Sequence, residues 1–191
     1  MNRAVQCAFA AVFLGACASQ PDATRYYLFE PTLVAPSMAV NTEVSALAVG
    51  PVTVSAYLDQ PHIVTRNGDE VITIREQDRW ASPLADGVRE VILRRLANRL
   101  PNTSVSLFPG AAEPAKSARR VAVDIFRLDG AAGGSARVGA QWRLFDPATR
   151  TWGTAREFSD SAPAVGAAIG DLVAAQGALL EMLADAIAES L

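Results

Sequence analysis

Both cysteines of this chain, Cys7 and Cys17, fall near its beginning, and the stretch from Ala18 to Leu191 contains no thiol. A fold built from that stretch has no disulfide and no cysteine metal site to hold it. It must rest on an apolar core. The material is present: 50% of the 191 residues are hydrophobic, and the length suits one domain of ordinary size. Net charge is −3. No basic tract stands out, which argues against a nucleic-acid partner.

The residues around the cysteines follow a targeting pattern. Met1-Asn2-Arg3 is charged, Ala8 to Phe13 is apolar, and Leu14-Gly15-Ala16 precedes Cys17. The apolar run is too short to span a bilayer, which takes about 20 residues. Leu14-Gly15-Ala16-Cys17 resembles the bacterial lipobox. The resemblance implies that residues 1–16 are a lipoprotein signal peptide. It implies further that the Cys17 thiol is diacylglycerated and its new amine acylated, with palmitate-like chains. Residues 17–24 then form the lipid anchor and tether, and residues 25–191 the folded domain. Each buried methylene contributes about 0.8 kcal/mol and two chains already anchor stably. Extended, Ala18 to Thr24 reaches only about 20–25 Å at ~3.3 Å per residue. Position 18 is Ala. An Asp there resembles the inner-membrane retention signal of Gram-negative bacteria, so its absence favours the outer membrane, with the domain on the periplasmic face.

Periodicity organises the rest. Tyr26 to Phe29 reads as a strand, and Glu30 to Thr42 as a loop. Ser45 to Ser55 alternates in two phases about Gly50-Pro51, which marks a bulge or an edge. Asn67-Gly68 between His62–Arg66 and Asp69–Arg75 predicts a two-residue type I′ hairpin. Ser82 to Leu100 predicts a helix. Ser82 caps it, Pro83 opens it, and Leu84, Val88, Val91, Ile92, Leu96 and Leu100 form its stripe. Thr103 to Phe108 is a short strand. Arg120–Leu128, Ala136–Phe145 and Thr151–Ser159 resemble an antiparallel meander. Val165 to Leu191 predicts a second helix, with Ile169, Leu172, Val173, Leu179, Leu180, Leu183 and Ile187 inward. The sum is a single α+β domain, a mainly antiparallel sheet with two main helices on one face.

Four segments together resemble one family. They are Tyr26-Tyr27-Leu28, Val49 to Val54 with Ala56 to Pro61, His62 to Arg66, and Arg79 to Leu84; Val121–Phe126 and Gln141–Leu144 also fit. The chain resembles the PqiC-type, or ABC-type transport auxiliary, lipoproteins. The resemblance implies a non-enzymatic outer-membrane subunit working beside MCE-domain or ABC-transport subunits. Such a docking or ring-forming component serves envelope lipid transport and membrane integrity. A competing expectation is a stand-alone periplasmic lipoprotein that binds a lipid or apolar ligand between sheet and helices.

No enzyme signature emerges, and no catalytic residue, cofactor or metal is expected. His62 is the only histidine; Asp59 and Ser55 lie near it, but no Gly-x-Ser-x-Gly occurs, and zinc asks for several such ligands. Asp59, Asp69 and Glu70 read as solvated loop charge, and Gly130, Gly133 and Gly134 as a turn. The contact candidates are Tyr57, Leu58, Asp59, Gln60 and Pro61, and the pair Arg79 and Trp80. Aromatic and Arg residues are enriched at interface anchors. Trp80 reads equally as core with Arg79 snorkelling. Arg95 and Arg99 mark a basic helix face. Glu181, Asp185 and Glu189 make an acidic stripe that runs to the negative end of the last helix. Together with the family resemblance, a basic partner for that stripe predicts a homo-oligomer.

Overall fold

The alternation of residues 119–146 closes into the longest ladder of the computed structural model, which describes residues 23–30, 39–68, 70–110 and 115–191. In chain order the elements are β1 (Arg25–Tyr27), β2 (Ala46–Val54), β3 (His62–Arg66), β4 (Ile72–Trp80), α1 (Leu84–Arg99), β5 (Ser104–Leu107), β6 (Arg119–Gly130), β7 (Ser135–Asp146), β8 (Thr151–Trp152), β9 (Arg156–Pro163) and α2 (Ile169–Glu189). A six-stranded sheet has the order β5-β2-β6-β7-β8, with β9 also on β7; β1-β4-β3 form a smaller sheet. Both helices lie on the larger sheet, α1 over β2 and β5, α2 over β7 and β9. This is an α+β domain. Among the described residues no helix is long and apolar enough to cross a membrane.

The predicted meander is present as β6, β7 and β9, all antiparallel. The sheets are nevertheless mixed, because β2 runs parallel to β5 and β6, and β1 parallel to β4. After β2 the chain passes through the small sheet and α1 before β5. A helical crossover of that kind returns a strand in the same direction.

Every apolar position assigned to the two helical stripes is buried. They meet Leu47, Val49, Val121, Val123 and Ile125 of the sheet in one core. The helix starts shift. Pro83 is the residue before α1 and Ser82 makes no capping bond; the Pro83 carbonyl instead accepts from Asp86 and Gly87. Ala168 has no side chain to cap α2, and the Asp171 carboxylate accepts from its backbone N–H at 3.0 Å. Val165 stays outside the helix and is exposed.

Two strand expectations need correction. Arg66 pairs with Ile72, so residues 67–71 connect β3 and β4 and no two-residue turn closes them. The ladder also shifts at its far end, where His62 pairs with Arg79 but Ile63 with Arg75, and there Asp78 and Trp80 are buried and pair with Arg25 and Tyr27 of β1. The third meander strand is broken: β8 pairs with Phe145 and Asp146, and β9 resumes at Arg156 and runs to Pro163. The β2 bulge is as expected. Val49 pairs with Val121 and Val52 with Val123, one extra residue on β2. Pairing to β5 stops at Leu107, so Pro51 owes no N–H to a neighbour on that side. Gly50 has φ +129°, and a Cβ there would run into the Phe108 carbonyl.

Candidate functional site

The turn after β2 and the end of β4 come together. Ser55 starts the turn, its carbonyl accepting from Leu58 (2.8 Å) and Asp59 (3.2 Å). Gln60 Nε2 donates to the Tyr57 carbonyl at 2.8 Å. Trp80 N–H then donates to the Pro61 carbonyl at 2.8 Å, which ties the loop to the last residue of β4. Between them lies a groove of about 380 Å³ lined by Asp59, Gln60, Pro61 and Trp80 to Leu84. On the other side of Trp80 a recess of about 220 Å³ reaches Tyr27, Phe29, Gly87 and Arg94. Trp80 is the wall between the two. Its ring is 4.9 Å from that of Phe29, which packs against Gly87 and Gly177 of the two helices.

The two predicted contact segments are thus one place, but not all of their residues face outward. Leu58 is 2% exposed, which makes it a packing residue and corrects the expectation that Tyr57 and Leu58 form an exposed pair; Trp80, 8% exposed, takes the core alternative of its two readings. Tyr57 is half-buried and its hydroxyl donates to Asp129 at 3.0 Å. What faces solvent is Asp59 and Pro61, with Gln60 and Arg79 half-buried. The Arg79 Nε is buried without a hydrogen-bond partner. His62 pairs with Arg79 across the ladder.

Two buried carboxylates hold this arrangement. Asp78, 1% exposed, accepts from Arg25 Nε (2.9 Å), Tyr27 Oη (3.0 Å) and Arg75 Nε (3.2 Å), and pins β1 to β4. Asp129, fully buried, accepts from Arg66 Nε (2.9 Å), Tyr57 Oη (3.0 Å) and Arg127 Nε (3.0 Å). It pins the loop and β3 to the large sheet. Each buried charge is compensated by two guanidinium groups and a phenol, the condition on which such a charge is tolerated. Both phenols are pushed above the ordinary tyrosine range, first by burial and then by the neighbouring carboxylate. Neither aspartate stood out in the sequence. The signal available was an arginine at short spacing before each, Arg75 and Arg127.

Arg95 and Arg99 face the acidic stripe of their own chain. Arg95 clamps Asp185 through Nε and Nη2, both at 2.7 Å, and lies 3.7 Å from Glu181. Arg99 reaches Asp185 and Glu189, each at 3.2 Å. The basic partner of the stripe is therefore α1, and the stripe gives no reason to invoke a second subunit. Cys17 and Asp69 lie outside the described residues. A further recess, about 790 Å³, sits elsewhere, among residues 41–45, 116, 117, 119 and 146–148 with Leu191.

Comparison with known proteins places the chain. A family described as "ABC-type transport auxiliary lipoprotein component" matches residues 26–188, and the chain belongs to that family. No curated protein matches it. The crystal structure of an uncharacterized protein is 19% identical and covers 88% of this chain and 99% of its own, with a TM-score of 0.74. A Xanthomonas campestris protein is 16% identical over 85% of this chain and 92% of its own, with a TM-score of 0.65. These two likenesses establish the fold. The family is described by transport, and not by a catalysed reaction.

Proposed function

We propose that this auxiliary lipoprotein is a non-enzymatic docking subunit of an MCE-type envelope lipid-transport system. In this reading residues 1–16 are removed, Cys17 carries the lipid, residues 17–24 tether the domain, and Ala18 directs it to the outer membrane. The observation that supports it most is the groove between Asp59–Pro61 and Trp80–Leu84. Its wall, Trp80, pairs in register with Tyr27 of β1, and β1 starts at Arg25, where the tether ends. A tether of about 20–25 Å keeps that groove near the lipid. Pro61, Trp80, Pro83 and Leu84 offer an apolar floor, while Asp59, Gln60 and Ser82 offer a polar rim, the usual anatomy of a contact patch. The loop is already ordered by its hydrogen bonds, so docking costs little conformational entropy. The occupant in this reading is an MCE-domain or transporter subunit, and self-association into a ring uses the same outward residues.

A stand-alone carrier needs space between helices and sheet. That space is filled by Leu47, Val49, Val121, Ile92, Leu172 and Leu180, which are at most 0% exposed.

Ala81→Arg tests the docking reading, because position 81 is exposed and lines the groove. The full-length variant should melt like the parent and retain the MCE-domain or transporter subunit about tenfold less well in copurification. Unchanged copurification would remove the groove from the interface.

A further inference from the structure

The helices cover one face of the large sheet and leave the other open. Val121, Val123 and Ile125 point to the helices and are buried, so Arg120, of the other parity on β6, belongs to the open face. Arg120 pairs with Phe145 of β7, and Phe145 with Trp152 of β8, which puts all three on that face, with Arg143 two residues before Phe145. Trp142 has the opposite parity, and its Nε1 donates to Ser190 at the end of α2. Backbone geometry fixes the patch. The Asp146 carboxylate accepts from Ala148 N–H at 2.8 Å, Arg150 turns the chain with φ 57°, and Gly153 N–H donates to the Leu144 carbonyl at 2.8 Å. Trp152 is thereby held against Phe145, with ring centres 5.3 Å apart.

The arginines of this patch meet rings and no carboxylate. The Arg120 guanidinium lies 4.3 Å from the Phe145 ring centre, 4.7 Å from that of Phe108 and 5.6 Å from that of Trp152, and Arg143 lies 5.8 Å from Trp152. Among the described residues neither guanidinium has a hydrogen bond or an ion pair. The carboxylates of the same face do not serve them. Asp124 accepts from Thr53 and Gln141, and Glu157 stands opposite Gln141. Ring contact uses the flat face of a guanidinium and leaves the N–H edge that takes a carboxylate as a fork. Two like charges against one indole also repel, and an anion at their edges relieves that repulsion. Trp152 is 40% exposed. Its ring lies against a second ring and two guanidinium groups and offers no free apolar tip to bury among lipid chains. Trp and Arg together are the composition of protein-interface hot spots.

We propose that the patch of Arg120, Arg143, Phe145 and Trp152 docks an acidic segment of a partner protein, with carboxylates on the guanidinium edges and an apolar side chain on the indole. The patch is separate from the groove. Arg120 pairs with Ala48 of β2, and the groove loop starts at Ser55, about 20 Å further along the strand at ~3.3 Å per residue. It does not depend on what occupies the groove.

Trp80 and Trp142 are buried and Trp152 is not, so acrylamide quenching of indole fluorescence reads this site. The test titrates the full-length protein in non-ionic detergent with three probes. They are an end-blocked peptide with four glutamates about a central leucine, the same peptide with glutamines, and short-chain phosphatidylglycerol below its micelle concentration. The glutamate peptide should protect Trp152 from acrylamide, less so as salt rises, and bind about tenfold more weakly to Arg120→Gln and to Arg143→Gln. Trp152→Phe should abolish the change in quenching. Should Arg120→Gln fail to fold for loss of its ring contacts, Arg143→Gln, at an exposed position, carries the comparison. No protection by the glutamate peptide, equal protection by the glutamine peptide, or binding unchanged in the folded arginine variants overturns the proposal. Protection by phosphatidylglycerol and not by the peptide also overturns it, and assigns the patch to lipid. Each of these failures leaves the docking reading standing, which Ala81→Arg tests at the groove.

Discussion

Tyr57 shows how much a single side chain in this molecule is asked to do. It begins as an aromatic residue in a short turn, the kind of residue that reads as a surface anchor. Its hydroxyl instead meets a buried carboxylate 72 positions later, and the Arg66 guanidinium lies 5.6 Å from its ring centre. The phenol ionises above its ordinary value of 10.0, chiefly because it is buried and next because Asp129 repels the phenolate. In the unfolded chain it titrates near 10. The folded state therefore favours the protonated form. The stability this contributes is complete below about pH 10 and is lost as pH rises through the higher folded value. Tyr57→Phe removes the titrating group. The variant should be less stable at neutral pH, for want of one donor to Asp129, yet lose less on going from about pH 8 to about pH 10.5. Melting midpoints of parent and variant at the two pH values check this. Equal alkaline losses would mean that neither burial nor Asp129 raises the phenol in the folded state. The arginine Arg66 belongs to the same cluster, and Asp129 holds its guanidinium above the ordinary range.

The two helices lie in a relation that neither stripe alone reveals. Arg95 meets Asp185, Arg99 meets Glu189, and Gly87 and Gly177 both touch Phe29, so residues 90 apart stand side by side and the helices run parallel. Parallel helices place two negative dipole ends together, an arrangement that favours cations there. α2 supplies none in its last turn, and α1 supplies Arg95 and Arg99 to both. Arg95→Glu sets a third negative charge against Glu181 and Asp185, and should cost roughly 2–3 kcal/mol. At about 2–4 °C per kcal/mol for a chain of this size, thermal melting reads it directly. Asp185→Arg in the same chain should recover much of the loss. A variant that melts like the parent but assembles less would return these arginines to an interface between subunits. The elements themselves were legible because burial follows period: each inward position of α1 and α2 repeats at helical spacing, and Val121, Val123 and Ile125 repeat at two. Partners were not legible, because nothing in the spacing of Glu181, Asp185 and Glu189 says which arginines, 90 residues upstream, will face them. The β3–β4 turn failed for a related reason. Asn67-Gly68 is a sound local signal, yet Arg66 pairs with Ile72, and the strand that starts there runs on to Asp78 and Trp80, which pair with β1 residues 53 positions away in sequence.

For the whole molecule the same division holds. Alternating strands and two long stripes specify an α+β domain, while the pinning of β1 to β4 and of the small sheet to the large one rests on Asp78 and Asp129, buried charges that no periodicity marks. The groove was legible as two separate segments; that they are one place follows from the Trp80 bond to Pro61. The small sheet that carries the groove wall also receives the tether, so position in the envelope and docking are coupled in the proposed reading. A domain with no cysteine in its core does not need Cys17 to fold, only to stay at a membrane. Cys17→Ala should therefore leave the melting curve of the folded domain unchanged and abolish incorporation of labelled palmitate. The protein should then appear in the soluble periplasmic fraction. Equal palmitate incorporation by the variant would dismiss the lipobox. Ala18→Asp separates anchoring from address: palmitate incorporation persists, but sucrose-gradient fractionation should move the protein from outer- to inner-membrane markers. If the unaltered protein already travels with inner-membrane markers, the docking partner must reach it there, and the outer-membrane half of the proposal falls while the groove stands.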